Sequence, residues 1–164
     1  MGGGIMSCMK CGKEVSEELF QKMRDTKLVE FDRLVADLSE KDVLPGIRDF
    51  LTWLNAQNVK TAVASSSNTS SGLANRFDLT KHFGVVIDGN MKLPRKPAPD
   101  TFLLAAKMLG VEPKDCIVFE DSLAGIQAAV NAGMPVVAVG GIRSEHAIAH
   151  IDDFRDIRKF FEGI

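Results

Sequence analysis

No stretch of the 164-residue chain is apolar over anything near membrane-spanning length. Its start, MGGGIMSCMK, lacks the charged opening, long apolar core and small-residue cleavage site of a secretory signal. Both absences predict a cytoplasmic protein with no membrane partner. An excess of charge of one sign is missing too. Twenty basic against 22 acidic residues leave a net charge of -2, so there is no electrostatic reason to expect nucleic acid as a partner. A small molecule is the expected partner. Cysteine is scarce and odd in number, with Cys8 and Cys11 forming a lone C-x-x-C and Cys116 opening an apolar strand. A zinc site needs two more ligands, and the only helix-spaced histidines, His146 and His150, lie in a distant segment; no metal site is expected from these residues. No internal repeat or low-complexity segment is present.

What is present suits one globular domain: 45% hydrophobic and 26% charged residues exclude disordered and collagen-like classes. Apolar residues recur at helical spacing from Ser16 to about Leu38, as one long helix or two short ones. Pro45 and Gly46 open a clearly amphipathic helix with Ile47, Phe50, Leu51 and Leu54 on one face. Strand and helix then alternate. VKTAVA breaks into serines ahead of a helical stretch around Leu73 to Phe83, and VVIDG is the next strand. Asp100 is placed to cap a helix that ends at Gly110, CIVFE is a strand, and Ser122 caps a helix that stops at Gly133. PVVAVG is a last strand, followed by two short helices around 143–149 and 153–162. This order predicts an α/β fold with a doubly wound parallel sheet in residues 45–164, behind a helical piece in residues 1–44.

In such a sheet the loops after the strands' carboxyl ends converge on one crevice. The first loop offers Ser65, Ser66, Ser67 and Asn68, hydroxyl and amide groups suited to a phosphate, although the same residues are common at ordinary caps. The second, RKPAPD, presents Lys96 on a segment stiffened by Pro97 and Pro99, where a solvated lysine is the plainer alternative. The third carries Glu120 and Asp121, hard oxygen ligands for Mg²⁺ whose mutual repulsion calls for a cation or a lysine. Together they outline a phosphoryl-transfer site without a nucleophile or base.

AVASSSN, RKPAPDTF and IVFEDSLAGIQAA, in this order, resemble the second, third and fourth motifs of the haloacid dehalogenase-like superfamily. The likeness is to its β-phosphoglucomutase-like phosphatases and phosphomutases, and runs from about Val15 to the C-terminus. The resemblance implies that Ser65 holds the transferring phosphoryl group and that Lys96 stabilises the nucleophile and the phosphoryl charge. It implies that Ser66, Ser67 and Asn68 form the substrate and phosphate loop, and that Glu120 and Asp121 organise Mg²⁺. More loosely, it places Lys27 where relatives carry a cap lysine. The substrate implied is a small phosphorylated metabolite such as a sugar phosphate.

One motif of that family is missing. Its first strand ends in D-x-D-G and supplies the phosphorylated aspartate and an acid and base; no Asp-x-Asp occurs in these 164 residues. That strand is the family's central one, so the expected fold is a Rossmann-like sheet without it, behind a partial helical cap. Little or no turnover is expected of the isolated chain. Self-association or a partner chain completing the sheet is an expectation with a physical motive, since unpaired strand edges seek partners. The alternatives are a non-catalytic phosphate-binding or regulatory module, one half of a split enzyme and, more distantly, a receiver-like or flavodoxin-like domain.

Overall fold

The computed structural model describes Met6, Ser7, residues 14–155 and residues 157–162. The Cys8 and Cys11 pair lies outside the described residues. Two compact units divide the chain between Asp42 and Val43.

In the first unit, β1 (Met6–Ser7) and β2 (Glu14–Val15) pair antiparallel, a short ladder where the sequence predicts helix alone. One unbroken helix follows, α1 (Glu17–Asp37). Ser16 caps it, its hydroxyl oxygen accepting from the Leu19 N–H at 3.2 Å, and Glu17 and Glu18 suit the positive end of the helix dipole. Arg33 bridges Glu30 and Asp37 on its solvated side. No residue of α1 is buried, and Lys27 lies on this helix.

The second unit begins with α2 (Ile47–Ala56) and continues through β3 (Ala62–Ala64), α3 (Ser70–Arg76), β4 (Val85–Ile87), α4 (Asp100–Leu109) and β5 (Val118–Glu120). It ends with α5 (Leu123–Asn131), β6 (Val136–Val139), β7 (Ala149–Ile151) and α6 (Ile157–Glu162). All its strand pairs are parallel, but they form two sheets: β3 with β4, and β5 with β6 and β7. No ladder joins β3 to β5 among the described residues.

Side-chain alternation along the strands explains the doubly wound arrangement. Val118, Val136 and Ala138 join Phe102, Ala106, Ile126 and Ala129 from α4 and α5 in one core. Phe119 and Val139 turn to a second core with Phe50 and Trp53 of α2 and Phe154, Ile157 and Phe161 near the C-terminus. There Phe50 stacks on Phe154 at 5.5 Å between ring centroids and meets the edge of Phe119 at 5.6 Å. The smaller sheet has its own cluster of Val85, Ile87 and Ala105, and Ala64 touches both this and the first core.

Two local expectations need correction. Asp100 is the first helical residue of α4 rather than its cap; Pro99 occupies the cap position, where its fixed φ suits a helix start and no side-chain bond is made. The segment predicted as a helix around 143–149 is a loop leading into β7, which pairs with β6 from Val137↔Ala149 to Val139↔Ile151. The otherwise unpaired edge of β6 needs partners for its backbone groups, and three residues of extended chain supply them.

Candidate functional site

The loop after β3 is held by backbone and hydroxyl bonds. Ser65 N–H donates to the Ile87 carbonyl at 3.0 Å, extending the β3–β4 pairing by one step. The Ser65 Oγ accepts from the Ser67 N–H at 3.1 Å, which curls the loop back on itself. The Ser67 and Thr69 hydroxyls lie 2.8 Å apart, and the Ser70 hydroxyl donates to the Ser67 carbonyl at 2.9 Å. Among the described residues the N–H groups of Ser66 and Asn68 have no acceptor, and the Ser66 side chain is exposed. Helix α3 has only 7 residues, so the loop's own hydroxyl and amide groups, rather than a helix dipole, are what it offers an anion.

Lys96 is not the solvated loop lysine that composition alone favours. Its ammonium group donates to the Ala64 carbonyl at 3.3 Å, pairs with the Glu120 carboxylate, and lies 4.4 Å from the centroid of the Phe102 ring. Only 14% of its side chain is exposed. The loop that aims it is tied to α5 where the Asn131 side-chain amide donates to the Pro97 carbonyl at 2.9 Å.

The two acids at the end of β5 have different surroundings. Glu120 is buried, and one carboxylate oxygen takes the Lys96 ammonium. The other accepts from the Asp121 N–H at 3.0 Å, the Ser122 N–H at 3.2 Å and the Ser122 hydroxyl at 3.0 Å. Its lone pairs are thus spent within the protein. Asp121 is exposed, and its carboxylate has no partner among the described residues. Ser122 serves twice, donating to Glu120 and accepting from the Gly125 N–H at 3.1 Å as the cap of α5. Gly125 is a steric requirement, because a Cβ there would enter the Glu120 carboxylate.

Ser65, Ser66, Ser67, Lys96, Glu120 and Asp121 therefore line one cleft of about 500 Å³ beyond the carboxyl ends of β3 and β5. Asn68 does not. Its carbonyl accepts from the Asn90 side chain at 3.2 Å and its side chain lies against Gly89, in the turn after β4. Ser122 and Gly125 are the participants that sequence reading overlooked. Their signal was a serine followed three residues later by glycine, directly behind the acids. The other wall of the cleft is apolar, formed by Leu44, Phe119, Val139 and Phe154.

This arrangement presents a fixed cation, hydroxyl and amide donors, and one free carboxylate. Among the described residues no histidine or cysteine lines the cleft. A Mg²⁺ ion held by one carboxylate, phosphate oxygens and water fits Asp121, whereas Glu120 would have to surrender Lys96 or Ser122 to take part. Among the described residues no three His, Cys, Asp or Glu side chains form a complete metal cage, and none of the described helices is long and apolar enough to cross a membrane.

A parallel α/β fold with polar loops gathered at the carboxyl ends of its strands defines a broad ligand-handling class. Comparison with known proteins narrows it: residues 10–133 match the haloacid dehalogenase-like hydrolases, and the chain belongs to that family. It is 39% identical over 127 residues to β-phosphoglucomutase of Bacillus subtilis, covering 77% of this chain and 54% of that protein. It is 37% identical over 102 residues to fructose-1-phosphate phosphatase YqaB of Escherichia coli, covering 62% of this chain and 54% of the relative. Among solved structures, β-phosphoglucomutase from Clostridium difficile superposes with a TM-score of 0.77 at 29% identity, over 90% of this chain and 67% of that one. The chain thus spans about half the length of the curated relatives named here.

Proposed function

We propose that this chain carries the phosphate-binding and charge-organising part of a Mg²⁺-dependent phosphatase or phosphomutase acting on small phosphorylated metabolites of the sugar-phosphate type. The observation that carries the reading is Lys96, fixed between Ala64 and Glu120 in the cleft that Ser65, Ser66 and Ser67 also line. A dianionic phosphoryl group placed there meets a buried cation and unpaired amide donors without further reorganisation. Ser65 orients the group, Lys96 neutralises its charge, and Glu120 and Ser122 keep Lys96 in place. Mg²⁺, held by Asp121 and the phosphate itself, would neutralise phosphoryl charge that Lys96 alone leaves uncompensated. The relatives support this substrate class, since one named above is a phosphoglucomutase and the other a sugar-phosphate phosphatase.

The 164 residues contain no Asp-x-Asp, and among the described residues the cleft lining holds no histidine or cysteine to replace it, so we infer that the chain binds phosphate without turning over sugar phosphates. Inorganic phosphate with Mg²⁺ should raise the melting temperature, and the shift should vanish in Lys96→Ala. Phosphate at 100 times its Kd corresponds to about 2.7 kcal/mol of added stability. No shift would defeat the reading. Mg²⁺-dependent phosphate release that disappears in Asp121→Asn would instead defeat the inference of inactivity.

A second reading, one half of a split enzyme, draws on the sheet topology. The β3 and β5 edges lie in separate sheets, and the cleft's apolar wall offers side-chain contacts to an extended apolar segment. Such a segment, from a second copy or a partner chain, would complete the sheet. Sedimentation that shows only monomer, with no activity regained on adding a peptide of alternating apolar residues ending in Asp-x-Asp, would count against it.

A further inference from the structure

We propose that Asp88, Ser71 and Gly89 are positioning residues that hold the serine loop in its anion-accepting shape. The inference rests on the reading of that loop as a phosphate site. None of the three lines the cleft. They act from behind it, at the turn where β4 ends.

The turn grips the loop at several points. Gly89 N–H donates to the Ser67 carbonyl at 3.0 Å. The Asn90 side-chain amide donates to the Asn68 carbonyl at 3.2 Å. The Ser71 hydroxyl, at the start of α3, donates to one Asp88 carboxylate oxygen at 2.5 Å, while the other oxygen accepts from the Asn90 N–H at 3.0 Å. One carboxylate therefore closes a ring from the turn after β4 to the helix that follows the loop. Gly89 is the close approach within that ring, because a Cβ would strike the Ser66 carbonyl and the Asn68 side chain.

The grip selects which groups remain free. It occupies the carbonyls of Ser67 and Asn68, whose partial negative charge would repel an anion, and leaves the N–H of the cleft-lining Ser66 without an acceptor among the described residues. A loop released from the turn could satisfy that N–H internally or rotate a carbonyl into its place. Pre-organisation of this kind lowers the ordering cost of binding and shows itself in affinity.

The test is a titration of the full chain with inorganic phosphate, followed through the backbone amide resonances of Ser66 and Ser67. The denaturation midpoint without phosphate is measured in parallel. Ser71→Ala should raise the phosphate Kd by about three- to tenfold, the size of one lost hydrogen bond. Ser71→Thr, which keeps the hydroxyl, should restore it. Asp88→Ala removes both acceptors, that of the Ser71 hydroxyl and that of the Asn90 N–H, and should weaken phosphate binding at least as much as Ser71→Ala. The proposal is overturned if Ser71→Ala binds phosphate as tightly as the parent, or if alanine and threonine weaken binding alike. If the parent's own amides do not move with phosphate, the phosphate-site reading falls and this inference falls with it. Parental binding unchanged in all three variants removes this inference alone.

Discussion

The two polar walls of the cleft, one at the end of β5 and one at the end of β3, are built on opposite principles. The β5 wall centres on a buried charge, Glu120, which is paired with Lys96, bonded by Ser122 and enclosed by Gly125. The β3 wall holds no charge in its loop and is shaped by a chain of neutral hydrogen bonds and the turn after β4. Burial follows the same division. Every residue of β6, beside β5, is buried, whereas β3 is only half-buried throughout. A charge can be kept in a fixed place only where its desolvation is repaid by a partner and by several donors. A loop that must accept an anion needs the reverse, donors left without acceptors. The contrast shows how one cleft can combine a fixed cation with a pre-shaped cradle of neutral donors.

The largest effect should come from the charged wall. Lys96→Ala leaves Glu120 buried without its counter-ion, and breaking such a pair costs about 3–5 kcal/mol. Ser65→Ala, on the neutral wall, should cost less than about 1.5 kcal/mol, the loss of a single ordinary hydrogen bond. Urea denaturation of both variants tests the contrast, and equal losses would break it.

Gly125→Ala comes next. The methyl group has no space beside the Glu120 carboxylate, and overpacking of this kind costs about 1–3 kcal/mol. The same substitution at Gly72, where a Cβ meets nothing, is the control and should leave the denaturation midpoint near the parent's.

The smallest effect concerns pH. The Ser71 hydroxyl, and after it the Asn90 N–H, hold the Asp88 carboxyl below the ordinary aspartate value of 3.8. Folding therefore favours the ionised form. The stability it contributes is complete above about pH 4 and is lost as pH falls through the lowered folded value. Asp88→Asn should flatten the part of the stability profile below about pH 4 that this residue supplies, read from denaturation midpoints at successive pH values. An unchanged profile would show that the neutral wall does not depend on this one charge.

Much of the cleft was legible because its residues sit at strand ends, where chain order and spatial position coincide. Ser65, Lys96, Glu120 and Asp121 each follow an apolar run or a proline-stiffened loop, and parallel strands bring such ends together. Asn68 is the loop residue that does not line the cleft. Its identity fits a phosphate loop, but the turn after β4, with Asn90 22 residues further along, draws it away from the cleft. The expected helix around 143–149 is a loop because local apolar spacing in EHAIAHI is ambiguous over so few residues, and the unpaired edge of β6 decides that the chain leaves it extended as β7.

Composition and periodicity by themselves determined that this chain folds as alternating helix and strand, where its charged and hydroxylated loops lie, and that no Asp-x-Asp is present. These are properties of neighbouring residues. Tertiary structure alone decided that the strands form two sheets, that Glu120 is a counter-ion while Asp121 stays free, and that Ser71, Asp88 and Gly89 shape a loop they do not belong to. The reason is physical. The state of a carboxylate or an amide depends on which donors, acceptors and water reach it, and those partners are brought by segments distant in the chain.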